Sequence, residues 1–94
     1  MKNYLARIEI YDADEADYET LHKKMKALGF SREIEFKGVR YDMPDATYVT
    51  SKPGIKCSKL GEMISNVADP LSSKTASIFV CQYDDWSAYL HFSK

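Results

Sequence analysis

The spacing of the hydrophobic residues changes several times along this sequence of 94 residues, and the order of these changes limits the folds open to it. In residues 4–11, every second side chain falls on the same face of an extended chain. A period of two with β-branched residues predicts a strand that turns one face to the core. The residues on that face are Tyr4, Ala6, Ile8 and Ile10.

The segment that follows has helical spacing. Its apolar residues recur three, four and three positions apart, as expected for one face of an amphipathic helix. Asp14 is the predicted N-cap, with further acids in the first turn, and Gly29 is the predicted residue just beyond the last turn. The apolar stripe consists of Tyr18, Leu21, Met25 and Leu28.

Residues 31–51 are typical of a β-hairpin. Ile34 and Phe36 alternate with acidic residues, a Lys-Gly pair makes the turn, and the return strand continues through residues 45–50. Pro44 lacks an amide hydrogen, so it predicts a bulge, a kink or an edge at that point.

The remaining residues repeat the pattern of a helix followed by a strand. Apolar residues at helical spacing predict a second helix in residues 60–69, which must end because Pro70 follows. Residues 75–83 predict a strand, and the pair Asp84-Asp85 predicts a turn into a short C-terminal partner strand at residues 86–92.

The predicted order is therefore β-α-β-β-α-β, followed by one C-terminal strand. This order predicts an α+β, ferredoxin-like fold, an antiparallel sheet with both helices on one face. At 94 residues the chain is expected to form a single domain, spanning residues 1–94.

Composition restricts the classes of function. The net charge of −1 removes the overall positive field of a typical nucleic-acid-binding protein, although a local basic patch is compatible with it. No apolar run approaches 18 residues, so no membrane span is expected. The two cysteines, Cys57 and Cys81, lack metal-ligand spacing and predict reduced thiols in a cytoplasmic protein.

His22 is the first candidate for chemistry. It lies at the shoulder of the apolar stripe, where a histidine can be half-exposed and can act as an acid or a base near neutral pH. The alternative is a structural histidine with a local hydrogen bond. His22 on its own favours that alternative, because catalysis needs a positioned partner and the sequence shows none.

A cluster of basic residues is the second candidate. It could bind phosphates. The alternative is structural, because lysines in the last turns complement the helix dipole and Glu19–Lys23 is a favourable ion pair four positions apart. The basic residues concerned are Lys23, Lys24, Lys26, Arg32 and Arg40.

Two further sets of residues have both a functional and a structural interpretation. Asp12 and Asp14 could bind Mg²⁺ at the end of the first strand, or serve as a turn residue and an N-cap. Aromatic residues on predicted strands could stack on RNA bases or be covered by a second subunit, and the basic-Gly-aromatic consensus of RNA-binding domains is absent. These aromatics are Tyr41, Tyr48, Tyr83, Trp86 and Tyr89.

Three motifs in the first half of the chain resemble a known family. They are R-I-E-I in the first strand, D-Y-E-x-L-H-x-x-M-x-x-x-G-F-S-R across the first helix, and G-x-x-Y-x-M-P-x-A-x-Y over the hairpin. Together they are similar to the GhoS-like endoribonuclease antitoxins of type V toxin–antitoxin systems, small proteins of bacteria and their prophages. The second half matches that family only in its order of helix and strand.

The resemblance implies a ferredoxin-like fold related to the small CRISPR adaptation nucleases and metal-independent cleavage of a toxin messenger RNA. It assigns the catalytic role to His22, at a position where the characterised antitoxin carries arginine. It implies RNA contacts through Arg7 and Arg32, and no cofactor. Lys24, from the basic run of the first helix, is the third residue predicted to bind RNA. Asp12 is the metal candidate only under the alternative of a magnesium-dependent nuclease.

The leading hypothesis is thus a cytoplasmic antitoxin-like protein that binds RNA and has endoribonuclease activity, expected to be a homodimer. A second hypothesis is a non-catalytic homo-oligomer of a phage or mobile element, whose sheet or strand edges contact protein. The third is the magnesium-dependent nuclease related in fold to the CRISPR adaptation enzymes.

Overall fold

The computed structural model describes residues 1–93 and has an α+β architecture with two helices and antiparallel strands, as predicted. A short 3₁₀ turn, Asp69–Leu71, follows the second helix at Pro70, where the sequence predicted its end. The elements are β1 (Lys2–Glu9), α1 (Glu15–Ala27), β2 (Glu33–Phe36), β3 (Val39–Asp42), β4 (Thr47–Lys52), α2 (Cys57–Ala68) and β5 (Ser77–Tyr83).

β1 is the centre of a three-stranded antiparallel sheet with the order β4-β1-β5. Its alternation is the predicted one, because Tyr4, Ala6 and Ile8 are buried while the residues between them are at least partly exposed. The Tyr4 hydroxyl donates to the carbonyl oxygen of Ile55 and accepts from its amide, both at 2.8 Å. The buried phenol therefore anchors the loop that leads into α2.

Both helices pack on the same face of this sheet, as predicted. α1 contributes Leu21 and Met25 to the core, and α2 contributes Leu60, Ile64 and Ala68. All five side chains are fully buried against the inward face of β1. Burial of this apolar area is the main source of stability in a domain of this size.

The predicted ends of α1 are confirmed. Asp14 caps the helix, since its carboxylate accepts from the Asp17 amide at 2.9 Å while the Asp17 carboxylate accepts from the Asp14 amide at 3.1 Å. This reciprocal arrangement satisfies two amides that the helix leaves without partners. Gly29 follows the last turn with φ +91°, a left-handed conformation that favours glycine.

The predicted hairpin is present, but its return strand does not run on through residues 45–50. β2 and β3 form a separate two-stranded sheet, and the chain breaks at Pro44 before β4 pairs with β1. Ala46, with φ +59°, redirects the backbone at the break. A single bridge between Ser31 and Val49 connects the start of the hairpin to the outer edge of β4.

The predicted C-terminal strand is wrong. Residues 84–93 form no strand, and residues 91–93 pair with the outer edge of β3 instead of with β5. The Asp42 amide donates to the carbonyl oxygen of His91 at 2.9 Å, and Tyr41 stacks on Phe92 with ring centroids 5.3 Å apart. Aromatic contacts with the hairpin, among them Trp86 edge-on to Phe36, hold this segment away from β5.

Residues 1–93 were predicted to contain no membrane span and to carry two reduced thiols. No helix in this part of the chain has the length and apolarity needed to cross a membrane. Cys57 and Cys81 are free thiols there and both are partly buried, as predicted.

Candidate functional site

His22 is fixed by a hydrogen bond to Tyr48. Its Nδ1 lies 2.7 Å from the Tyr48 hydroxyl oxygen, and the phenol belongs to a fully buried side chain of β4. His22 itself is half-buried on α1, where the sequence placed it at the shoulder of the stripe. The histidine thus has the local hydrogen bond that the structural alternative predicted, and it also has a positioned partner.

The surroundings of this pair determine its protonation. Burial lowers the pKa of His22, the positive charge of Arg32 lowers that pKa further, and Glu19 and Asp45 act in the opposite direction. Burial raises the pKa of Tyr48 to about 12. At neutral pH the imidazole is therefore neutral and the phenol keeps its proton.

These protonation states favour one tautomer of His22. Tyr48 makes no other side-chain hydrogen bond within residues 1–93, so its hydroxyl hydrogen is satisfied by donating to Nδ1. A neutral imidazole that accepts at Nδ1 carries its hydrogen on Nε2. His22 then offers a hydrogen-bond donor on its outer side, not the lone pair that a general base needs.

His22 and Arg32 separate two clefts that differ in charge. The first, which we call the acidic cleft, has a volume of about 860 Å³ and also contains Arg7. Its two arginines are outnumbered by carboxylates, so the local field opposes binding of a polyanion. The four acidic residues that line it are Glu9, Glu15, Glu19 and Asp45.

The second cleft, which we call the basic groove, has a volume of about 640 Å³ and lies between the C-terminal half of α1 and the hairpin. Arg40 forms an ion pair with Glu33 at 3.2 Å, the one salt bridge among residues 1–93. The other three cations of the groove, Lys23, Lys26 and Arg32, therefore remain available to bind an anionic ligand. The charged residues that line it are Lys23, Lys26, Arg32 and Arg40, with Glu33, Asp42 and Asp45.

The structure brings together only part of the predicted set. His22 and Arg32 line both clefts, and Arg7 lies in the acidic cleft alone. Lys24 is exposed and lines neither, whereas its neighbours Lys23 and Lys26 line the basic groove. Positions 24 and 22 are about 200° apart around a helix, so Lys24 is on the opposite side of α1 from His22 and the clefts.

Tyr48 is the residue whose role the sequence did not reveal. The sequence predicts an aromatic that is available for stacking, but its side chain is fully buried on the helix face of the sheet. Alternation along the strand could not have revealed this role, because residues 47–50 are all buried. The place of Tyr48 opposite buried Ala6 of β1 puts its side chain on the helix face.

Asp12 has a structural role in the loop after β1. Its backbone has φ +53°, and its carboxylate accepts from the Ser73 hydroxyl at 2.6 Å. Asp14 is the helix cap. Residues 1–93 contain no group of three histidine, cysteine, aspartate or glutamate side chains that could hold a metal ion. Within this part of the chain, a single copy therefore offers no such cluster for the magnesium alternative.

Most of the exposed aromatics lie on the hairpin and the C-terminal segment, away from the central sheet. Phe36, Tyr89 and Phe92 are among the most exposed, and Tyr89 is fully exposed. Tyr83 is half-buried at the end of β5. The central sheet carries one exposed aromatic, Phe79 of β5, which is 64% exposed, so of the predicted set only half-buried Tyr83 lies near an aromatic that could stack on a base there.

No protein-family model matches the sequence, and neither a curated protein nor a solved structure matches the chain. The basic groove, its charges and the His22–Tyr48 pair are therefore the observations on which a function can be based.

Proposed function

We propose that this chain is an antitoxin-like RNA-binding protein whose basic groove binds the phosphates of a toxin messenger RNA. One observation carries the proposal: Lys23, Lys26 and Arg32 line one groove, and none of the three forms a salt bridge within residues 1–93. Lysine and arginine bind phosphates by displacing condensed counterions, which supplies most of the affinity for a nucleic-acid backbone.

His22 extends this groove with a neutral donor. With Nδ1 occupied by Tyr48, its Nε2–H is directed away from that bond and can donate to a phosphate oxygen or a 2′-hydroxyl. An arginine at this position, as in the characterised relative that the motifs resemble, would also be a donor. The proposal thus needs no metal and no cofactor.

Cleavage of the bound RNA is the second part of the proposal. In a metal-independent reaction the 2′-oxygen attacks phosphorus and loses its proton to water. The bond from phosphorus to the 5′-oxygen then breaks, and that oxygen takes a proton from an acid, which leaves a 2′,3′-cyclic phosphate. His22 can be this acid only in its imidazolium form. That form is the minor one at neutral pH because the pKa of His22 is lowered, so cleavage should speed up as the pH falls towards that pKa. Arg32 and the groove lysines stabilise the charge on the phosphate.

We also propose that the fold is ferredoxin-like in its detailed topology. Two features support this: the antiparallel order β4-β1-β5, and the bridge from Ser31 to Val49, which brings the start of the hairpin to the outer edge of β4. If the bridged segment that leads into β2 is counted as the fourth strand, the order along the sheet is β2-β4-β1-β5. This order is the one expected for a split β-α-β arrangement.

Binding can be tested by titrating a fluorescent single-stranded RNA and measuring its anisotropy at several salt concentrations. Lys23→Gln and Lys26→Gln should each weaken binding and reduce the slope of log affinity against log salt by about 0.7, the value for one phosphate contact. Lys24→Gln is the matched control, because it removes the same charge from the same helix outside the groove.

The titration also tests the predicted contacts through Arg7 and Lys24. If either Arg7→Gln or Lys24→Gln weakens binding as much as the groove variants, the groove is not the binding surface. RNA binding that is undetectable at low salt would overturn the proposal.

Cleavage is tested separately by incubating RNA with the protein in the presence of Mg²⁺ or of EDTA. Cleavage that survives EDTA and is lost in His22→Ala supports the metal-independent reaction. RNA that stays intact under both conditions overturns the catalytic part while leaving the binding result unchanged.

A further inference from the structure

The outer edge of β5 is a strand edge that the chain leaves uncovered. β5 pairs with β1 along seven residues, Asn3–Glu9 with Ser77–Tyr83, and no strand or bridge within residues 1–93 lies on its other side. The outer edges of β4 and β3 are, by contrast, partly covered. Ser31 bridges to Val49 on β4, and the segment ending in Phe92 and Ser93 pairs with β3.

This edge also lacks the features that normally prevent strands from pairing. The strand Ser77–Tyr83 has the sequence SIFVCQY, with no charged residue and no proline. Phe79, near its middle, is 64% exposed. Exposed edges of soluble proteins usually carry lysine, proline or a bulge, and an apolar edge without them is a template for another strand.

We propose that β5 pairs antiparallel with β5 of a second copy of this chain, joining two three-stranded sheets into one sheet of six strands around a twofold axis. A twofold interface requires a surface that is complementary to itself. An uncharged strand meets this condition, because doubling it brings no like charges together.

The charges at the two ends of β5 favour the antiparallel direction. Lys74 lies just before the strand, and Asp84 and Asp85 lie just after it. Antiparallel pairing brings the start of one strand beside the end of the other, so that Lys74 of each copy approaches Asp84 and Asp85 of the other. Parallel pairing would place the aspartates together, at a cost from repulsion between like charges.

Lys74 is accessible for such a contact. It is exposed, and its ammonium group lies over the ring of Tyr11, 4.3 Å from the centroid. A cation held in this way at the surface can interact with a carboxylate while it remains over the ring.

This interface is independent of the proposed RNA-binding groove. The groove lies at the side of α1 and the hairpin, beyond β4, whereas β5 is the opposite edge of the β4-β1-β5 sheet. Association of two copies would therefore leave the basic groove of each copy open.

The test is sedimentation equilibrium of the full chain over about a hundredfold range of protein concentration, because a weak interface dissociates on dilution. The wild-type chain should be a dimer at the upper end. Phe79→Lys should be a monomer throughout, since it places a charge on the edge of both copies. Tyr89→Lys is the matched control, as it adds the same charge at a fully exposed aromatic away from the edge, and it should remain a dimer.

Charge reversal provides a second test that leaves the strand itself unaltered. Lys74→Glu alone and the pair Asp84→Lys with Asp85→Lys should each weaken the dimer, and the three changes combined should restore it. A wild-type monomer at every concentration overturns the proposal, and so does dissociation by Tyr89→Lys but not by Phe79→Lys. Failure of the combined variant to recover would rule out the antiparallel direction.

Discussion

The imidazole of His22 and the phenol of Tyr48 are 26 residues apart in sequence and 2.7 Å apart in space, measured from Nδ1 to the hydroxyl oxygen. This one bond links the outer shoulder of α1 to a fully buried side chain of the central sheet. It satisfies a buried hydroxyl and fixes which nitrogen of His22 is directed outward. The same contact therefore serves both the stability of the domain and the chemistry of the groove.

Removing the Tyr48 hydroxyl should destabilise the domain by about 1 kcal/mol, the usual net contribution of such a hydrogen bond. The change is Tyr48→Phe, and the measurement is unfolding in urea. His22→Ala completes a double-mutant cycle. The double variant should lose less free energy of unfolding than the sum of the two single variants, because both single changes remove the same hydrogen bond. If the two losses in free energy of unfolding are additive, the two groups are not coupled in solution.

Arg32 should control the protonation of His22. Its positive charge lowers the pKa of the imidazole, so Arg32→Gln should raise that pKa. The pKa can be measured by following the imidazole signals in an NMR titration, with His91→Gln used to assign them. Arg40→Gln is the control, because Arg40 is paired with Glu33 and is not among the charges that shift His22. An equal shift in both variants would indicate a general field effect.

His22 should also make the domain less stable as the pH falls. Its folded-state pKa lies below the ordinary value of 6.5, so the unfolded chain binds more protons in this range. The stability from neutral His22 is present above 6.5 and is lost as the pH falls through the lowered pKa. Urea unfolding from about pH 7.5 to about pH 5 should show a steeper loss for the wild type than for His22→Gln. Parallel curves would contradict this.

Much of the fold follows from local patterns. The stripe that includes Leu21 and Met25 fixed the inward face of α1, and Asp14 and Gly29 fixed its ends, because capping depends on neighbours in sequence. The C-terminal segment was mispredicted for the opposite reason. Its alternating residues are compatible with a strand, but contacts of Trp86 and Phe92 with the hairpin decide where it lies.

The candidate site also has features that local sequence predicts and features that depend on tertiary contacts. The position of His22 at the shoulder of α1 follows from helical spacing. The basic run is evident in the sequence, but Lys24 was predicted to bind RNA, whereas Lys23 and Lys26 are the lysines that line the groove. The hydrogen bond to Tyr48 was not, because it depends on the register in which β4 pairs with β1, with Tyr48 opposite Ala6. The separation of Arg7 from the basic groove depends on tertiary placement as well, since Arg7 lies on β1 and the groove lies beyond β4.

Two glycines should respond in opposite directions to the same substitution. Gly29→Ala should destabilise the domain by about 1 kcal/mol, because a side chain at φ +91° is strained. The space at Gly29 is not the cause, since an added Cβ would have its nearest neighbours at 3.8 and 3.9 Å, ordinary contact distances.

Gly61 is the matched position, in the interior of α2 with nothing within 4 Å of an added Cβ. Gly61→Ala should therefore stabilise the domain by up to about 1 kcal/mol, because alanine loses less backbone entropy on forming a helix. Urea unfolding of both variants measures the two effects under the same conditions. Destabilisation by Gly61→Ala would show that the surface of α2 around this glycine is more closely packed than the structure indicates, and a neutral Gly29→Ala would show that the end of α1 tolerates another conformation.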